Sequence, residues 1–182
     1  MSKKEIQEGF PLLGDDDAEI LILGTFPGEE SLEKGEYYAN STNRFWKVIL
    51  TLLGEKAEPF DYEVKKEILK RNKIALWDIY EKAVRGGSTD KNIKQKKSKF
   101  NDVFSWLKLH DSVKIVVFNG GKSKKNSTSK MFRKFKNEHS EEIKCAEKKG
   151  VKFKNNLPST SGANVKSKLD DLILAWKDIF EK

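Results

Sequence analysis

Two periodicities share the chain. Residues Ala18 to Phe26, "AEILILGTF", are apolar almost without interruption, preceded by an acidic cluster and followed by Pro-Gly. So short and continuous a run reads as a strand buried on both faces. Lys73 to Ile79 ("KIALWDI") and "SVKIVVFNGG" (Ser112 to Gly121) repeat the pattern, and "GVKFKNNLPSTSG" holds a fourth, shorter strand. Between them the spacing changes to that of an amphipathic helix. Thr42 to Leu53 puts Phe45, Trp46, Ile49, Leu50 and Leu53 on one stripe, with Ser41 or Thr42 as the cap. Asp61 to Asn72 and "FNDVFSWLKLH" are helices of the same kind. A polar helix is expected from about Lys122 to Lys136. The last helix gathers Val165, Leu169, Leu172, Ile173, Trp176 and Phe180 on one face. "PGEESLEKGEYYANST" and the lysine-rich "EKAVRGGSTDKNIKQKKSK" read as loops, the second with room for a short helix.

Apolar strands alternating with helices predict an α/β layered domain with a largely parallel sheet. The 182 residues suffice for one such domain, residues 1–182, and show no internal repeat. In open parallel sheets ligands bind beyond the carboxyl ends of the strands. Four of those ends carry polar or glycine-rich turns: "GTFPGEES", "WDIYEKAVRGGSTD", "FNGGKS" and "NNLPSTSGAN". Any one of them does no more than end a strand. Four on one edge predict a cleft.

Composition narrows the chemistry. Charged residues make up 35% and the net charge is +8, which suits a polyanionic partner but also an ordinary basic surface. A single cysteine, Cys145, rules out an internal disulfide, fits a reducing cytosolic setting and reads as a packing residue. Two histidines, His110 and His139, without spaced acidic or cysteine companions argue against a metal site and against a Ser-His-Asp set. No apolar run approaches the roughly 20 residues that span a bilayer, so the expectation is a soluble protein of the cytoplasm with no membrane partner.

The strand-end loops hold the candidate groups. Gly24, Pro27 and Gly28 allow close approach of backbone to a ligand, flanking Thr25 and Phe26. The phosphate-cradling pattern GxxxxGK[ST] is absent. Tyr37 and Tyr38 either fold back on the core or form a stacking platform for a planar ring. Asn40 and Asn43 stand at a helix start, where an amide usually caps, although Asn43 lies past the expected cap. Asn119 ends a buried strand, and an amide offering donor and acceptor can read a base edge. Ser159, Thr160 and Ser161 are capping hydroxyls or phosphate ligands. Asp78, Asp90, Glu29 and Glu30 lie near strand ends, and any of them can orient a water.

"GTFPGEESLEKGEYYANSTNRFWKVI" together with "LPSTSGANV" resembles the uracil-DNA glycosylase superfamily. The chain is most similar to its hypoxanthine-DNA (deoxyinosine) glycosylase family, through the GT/SFP-type first motif, the "YY" pair, "ALWD", "GSTDKNI", "FNG" and "LPSTSGAN". The matches fall in order from about residue 18 to residue 176. The resemblance implies a three-layer αβα sandwich around a mostly parallel four-stranded sheet. It implies a monofunctional glycosylase of base excision repair, without metal or redox cofactor, and the expectation is a monomer. Such an enzyme flips a deaminated base out of DNA and hydrolyses its N-glycosidic bond.

Carried over residue by residue, Phe26 falls where the uracil-specific branches place a water-activating Asn or Asp. Leu157 falls where the first uracil family carries His. The resemblance points instead to Asn43, ahead of Asn40, as the catalytic amide. It puts Tyr38 at the ring-stacking position, Gly24, Thr25, Phe26 and Pro27 around the base, and Asn119 at the base edge. Ser159, Thr160 and Ser161 fall on the phosphate, and Asp78 or Asp90 is a possible water-positioning acid. "NSTN" replaces "HPRN" or "NPRN", and Gly162 stands where Pro is common. Two other readings stay open: a uracil-directed enzyme with a relocated Asn, and a catalytically silent nucleic-acid-binding module.

Overall fold

A computed structural model describes residues 6–55, 60–123 and 125–181; the first five residues and Lys124 of the expected polar helix lie outside that range. In chain order the elements are β1 (Ile6–Glu8), β2 (Ile20–Gly24), α1 (Glu29–Lys34), α2 (Phe45–Leu52), α3 (Tyr62–Arg71), β3 (Ile74–Asp78), β4 (Tyr80–Val84), β5 (Lys99–Phe100), α4 (Val103–Leu109), β6 (Ile115–Phe118), α5 (Ser127–Glu138), α6 (Ser140–Lys148), β7 (Lys152–Lys154) and α7 (Leu169–Trp176). Single 3-10 turns lie at Asp90–Asn92, Gln95–Lys97 and Lys177–Ile179.

The four expected strands form one parallel sheet in the order β3-β2-β6-β7. Strand side chains alternate between faces, and the two cores follow that alternation. Leu21, Leu23, Ala75, Val116 and Phe118 pack with Phe104 and Leu107 of α4 and with Met131, Phe132 and Phe135 of α5. Ile22, Ile74, Leu76 and Val117 pack on the other side against residues of α2, α3 and α7. This is the three-layer αβα arrangement. Register fixes the site's frame: Ile20 pairs with Ile74 and Gly24 with Asp78, so these two strands end side by side. The Asn119 N–H donates to the Leu23 carbonyl at 3.0 Å, bringing the end of β6 to the same edge.

Several elements depart from the sequence expectations. Residues 80–84, read as loop, form the middle strand of a small antiparallel sheet ordered β1-β4-β5. Glu29–Lys34 is a short helix rather than loop, with two acids in its first turn and the left-handed Gly35 ending it. The expected helix at Thr42 starts at Phe45. Neither Ser41 nor Thr42 caps it; the Asn43 Oδ1 accepts the Phe45 N–H at 3.0 Å. The polar helix likewise begins later, at Ser127, where Asn126 Oδ1 accepts the Ser129 N–H. Helix α6 was not expected; it carries Cys145 on the surface, so that cysteine is not a packing residue. Val165 is 88% exposed and precedes α7 instead of joining its buried face. Among the described residues no helix is long and apolar enough to cross a membrane.

Candidate active site

The carboxyl edge of the sheet is built around Gly24 and Asp78. Asp78 Oδ1 fills the space that a Cβ on Gly24 would need, and the Tyr38 hydroxyl lies 3.1 Å from the same point. Glycine is therefore demanded at position 24 by close approach. The backbone is pinned on both sides: Ile79 N–H donates to Gly24 O at 2.9 Å, Tyr80 N–H to Thr25 O at 3.1 Å, and the Asn101 amide to Asp78 O at 2.8 Å. Asp78 is only 4% exposed, and its Oδ2 has no hydrogen-bond partner among the described residues. Burial, and then the negative charge of Asp90, push the Asp78 carboxyl up to about 8, against the opposing pull of Arg85.

Asp90 has the donors that Asp78 lacks. The Thr25 hydroxyl donates to its Oδ1 at 2.7 Å, and the Thr128 hydroxyl donates to its Oδ2. Burial raises its pKa while these two hydroxyls and Arg85 hold it down. Arg85, just beyond β4, is also 4% exposed. Its guanidinium lies 5.1 Å from the centre of the Phe26 ring and donates from Nη2 to Pro27 O, while Nε and Nη1 find no partner among the described residues. Burial lowers its pKa. Glu29 N–H donates to Ser88 Oγ at 3.0 Å, so the turn after β2 and the loop after β4 are stitched together. Phe26 is 6% exposed and belongs to the core beneath Arg85, which removes its ring from the expected base site.

The paired tyrosines sit differently. Tyr37 folds onto the core: it is 4% exposed, its hydroxyl donates to Pro11 O at 3.2 Å, and its carbonyl accepts the Trp46 indole N–H at 2.9 Å. Tyr38 stays at the edge in a left-handed conformation, φ 56°. Its ring stacks on Phe45 at 3.9 Å between centroids, so one of its faces is covered.

Asn119 serves the protein rather than an open base edge. Its Oδ1 accepts the Thr160 N–H at 3.0 Å, and its Nδ2 donates to Thr160 Oγ1 at 2.9 Å and to the Tyr38 hydroxyl at 3.3 Å. Thr160 is completely buried, so its hydroxyl faces inward and is not exposed to a phosphate. Ser159 Oγ accepts the Ser161 N–H and Ser161 Oγ accepts the Ala163 N–H, both at 3.2 Å. Arg44 holds this loop from α2: its N–H donates to Thr160 O at 2.9 Å, and Nη2 donates to Ser161 O and Asn164 O at 2.8 Å each. Leu157 is buried in the core beside Trp176.

Asn40 and Asn43 lie on the rim of a separate groove of about 420 Å³, lined also by Tyr38, Trp46, Lys47 and Leu50. Both amides work locally. Asn40 Oδ1 accepts the Thr42 N–H and hydroxyl, and Asn43 Oδ1 accepts the Phe45 N–H from one residue ahead of the Arg44 N-cap of α2. The sequence reading missed Arg44, Arg85 and Thr128. "NRFW" and "AVRGG" carried no signal of burial, because an arginine beside polar residues reads as solvated.

The profile of the Uracil DNA glycosylase superfamily matches residues 11–179. Two hypoxanthine DNA glycosylases are similar over 118 residues. The Methanosarcina barkeri protein is 41% identical over 64% of this chain and 73% of its own length. The Methanosarcina acetivorans protein is 37% identical over 65% and 73%. The solution NMR structure of a uracil DNA glycosylase candidate from Methanosarcina acetivorans superposes with a TM-score of 0.74, at 32% identity over 97% of both chains. With the parallel sheet and its carboxyl-edge loops in place, the chain belongs to the Uracil DNA glycosylase superfamily and is a DNA glycosylase.

Proposed function

We propose that the protein hydrolyses the N-glycosidic bond of a deaminated base flipped out of DNA, with hypoxanthine as the preferred base, acting as a monomer in the cytoplasm. The two named hypoxanthine DNA glycosylases support this choice. The observation that carries it is the change of residue after β2. Phe26 is turned into the core, so the polar side chain used by uracil-directed branches has no counterpart there. A polar group must come from elsewhere, and the amides of Asn40 and Asn43 stand beside Tyr38 on one groove.

In this reading the extruded base enters beside Gly24 and meets the Tyr38 ring, recovering part of the unstacking cost of a few kcal/mol. Asn43 uses its oxygen to accept the Phe45 N–H, which leaves its NH2 to hold a water or a base edge. Ser159 and Ser161 each accept a backbone N–H, so their own hydroxyl hydrogens are free to donate outward to a phosphate. Thr160 contributes by anchoring the loop. The net charge of +8 favours the DNA backbone.

The test is alkali-developed strand cleavage of labelled oligonucleotides carrying one deoxyinosine or one deoxyuridine, in single-stranded and duplex form. Cleavage at inosine well above uracil is expected. Cleavage at uracil alone would replace the hypoxanthine reading with the uracil-directed one. No cleavage at either, with enzyme in excess, would remove both.

A further inference from the structure

Asp78 and Asp90 are two carboxyls at the carboxyl edge of the sheet, near enough to repel each other and in opposite surroundings. Burial raises the pKa of Asp90, but its two hydroxyl donors and Arg85 oppose that rise and favour its ionised form. The Asp78 Oδ2 has no hydrogen-bond partner among the described residues, and its Oδ1 occupies the space that a Cβ on Gly24 would need. A buried carboxylate with empty lone pairs is costly, whereas a neutral carboxyl needs only one acceptor for its hydrogen. Paired carboxyls whose surroundings differ in this way divide acid and base roles between them.

We propose that Asp78 meets the extruded base and supplies a proton to it as the glycosidic bond breaks, with Asp90 as the positioning residue that keeps that proton on Asp78. This rests on the hypoxanthine reading for its choice of substrate. A neutral carboxyl presents a hydroxyl donor beside a carbonyl acceptor, which complements the lactam oxygen and N–H of hypoxanthine. The base takes the place of the Tyr38 hydroxyl, which is held to Asn119 by a long 3.3 Å bond.

The step balances as follows. The C1′–N9 bond breaks with its electron pair going to the purine. The Asp78 proton passes to the purine, water adds to C1′ and sheds its proton to solvent, and solvent reprotonates the Asp78 carboxylate after the base departs. Asp78 thereby acts on the leaving base and not on the water.

The groups facing Asp78 are Asp90, Arg85 and the phenols of Tyr37 and Tyr38. An acid works below its pKa, so the rate should fall as pH rises through about 8. Neutralising Asp90 removes a charge that disfavours ionisation of Asp78, and should move this alkaline limb to lower pH.

The experiment measures single-turnover cleavage of a deoxyinosine duplex from about pH 6 to about pH 9 for the wild type, Asp78→Asn and Asp90→Asn. Binding is read separately with a duplex carrying 2′-fluoro-deoxyinosine, which resists hydrolysis. Asp78→Asn should be slower by about 100-fold or more, with binding held within about 3-fold. Asp90→Asn should turn over near pH 6 with its alkaline limb shifted down. If Asp78→Asn fails to fold, the Asp90→Asn profile decides alone. An Asp78→Asn rate within about 3-fold of the wild type, or an Asp90→Asn profile that overlays it, overturns the assignment while the substrate reading stands. A wild type that spares inosine overturns the substrate reading, and the same variants then test Asp78 on uracil.

Discussion

The side chain of Asn119 makes two bonds to one residue: it accepts the Thr160 N–H at 3.0 Å and donates to the Thr160 hydroxyl at 2.9 Å. That pair locks the "LPSTSG" loop to the end of β6, and Thr160 has no solvent exposure with which to replace either bond. Asn119→Ala leaves a buried donor and a buried acceptor without partners, at about 1–3 kcal/mol each. We expect a lower urea midpoint and slower cleavage together. A residue that only read the base edge would lose turnover and keep the midpoint.

The legible parts of the sequence were those governed by one strong pattern. The continuous apolar runs gave β2, β3 and β6, because burial on both faces leaves no other composition, whereas edge strand β7 is the half-exposed "KFK". β4 escaped notice because Glu81 and Lys82 interrupt its apolar positions and "RGG" follows directly, so it read as loop. The site was legible as a set of loops but not as a set of roles. Which way an amide turns depends on partners distant in sequence: Asn119 meets Thr160 across 41 positions. Asp78 and Asp90 were candidates by proximity to strand ends. The orphaned oxygen of one and the paired hydroxyls on the other arise only from packing.

Gly24 should tolerate no side chain. A methyl group there would occupy the position of Asp78 Oδ1 and approach the Tyr38 hydroxyl at 3.1 Å. Gly24 is paired with Asp78 in the sheet and its carbonyl accepts the Ile79 N–H at 2.9 Å, which holds the backbone against β3. Asp78 must turn instead. Gly24→Ala is expected to cost about 1–3 kcal/mol, as overpacking does, and to cut cleavage more than stability alone explains. Thermal unfolding and single-turnover rates on the same preparation check both parts. A fully stable, fully active variant would show that Asp78 is free to move.

Gly162 and Thr42, in the two stretches where the resemblance leads one to expect proline, meet in the structure. A Cβ at position 162 would collide with the Thr42 side chain and come within 3.0 Å of the Thr42 carbonyl. Thr42 is itself held by Asn40, so it cannot swing aside cheaply. Gly162→Ala should therefore destabilise by about 1–3 kcal/mol. Adding Thr42→Gly should return part of that loss, giving a coupling energy of about 0.5 kcal/mol or more in a double-mutant cycle. Strict additivity of the two changes in urea unfolding would refute the pairing.

Asn43 offers the sharpest separation of structure from catalysis. Its Oδ1 accepts the Phe45 N–H at 3.0 Å at the start of α2, ahead of the Arg44 N-cap, and its NH2 is the part proposed to act on the groove beside Tyr38. Asn43→Ala removes both, and should lose about 1 kcal/mol of stability along with turnover. Asn43→Asp keeps the capping oxygen and adds a negative charge at the helix start, where the macrodipole favours it. That variant should therefore be as stable as the wild type or slightly more so, yet remain deficient in cleavage because a carboxylate cannot donate. Stability comes from the chemical denaturation midpoint and turnover from single-turnover cleavage of the deoxyinosine duplex. If Asn43→Asp restores both, the residue is a cap, and Asn40 becomes the remaining amide on that groove to test.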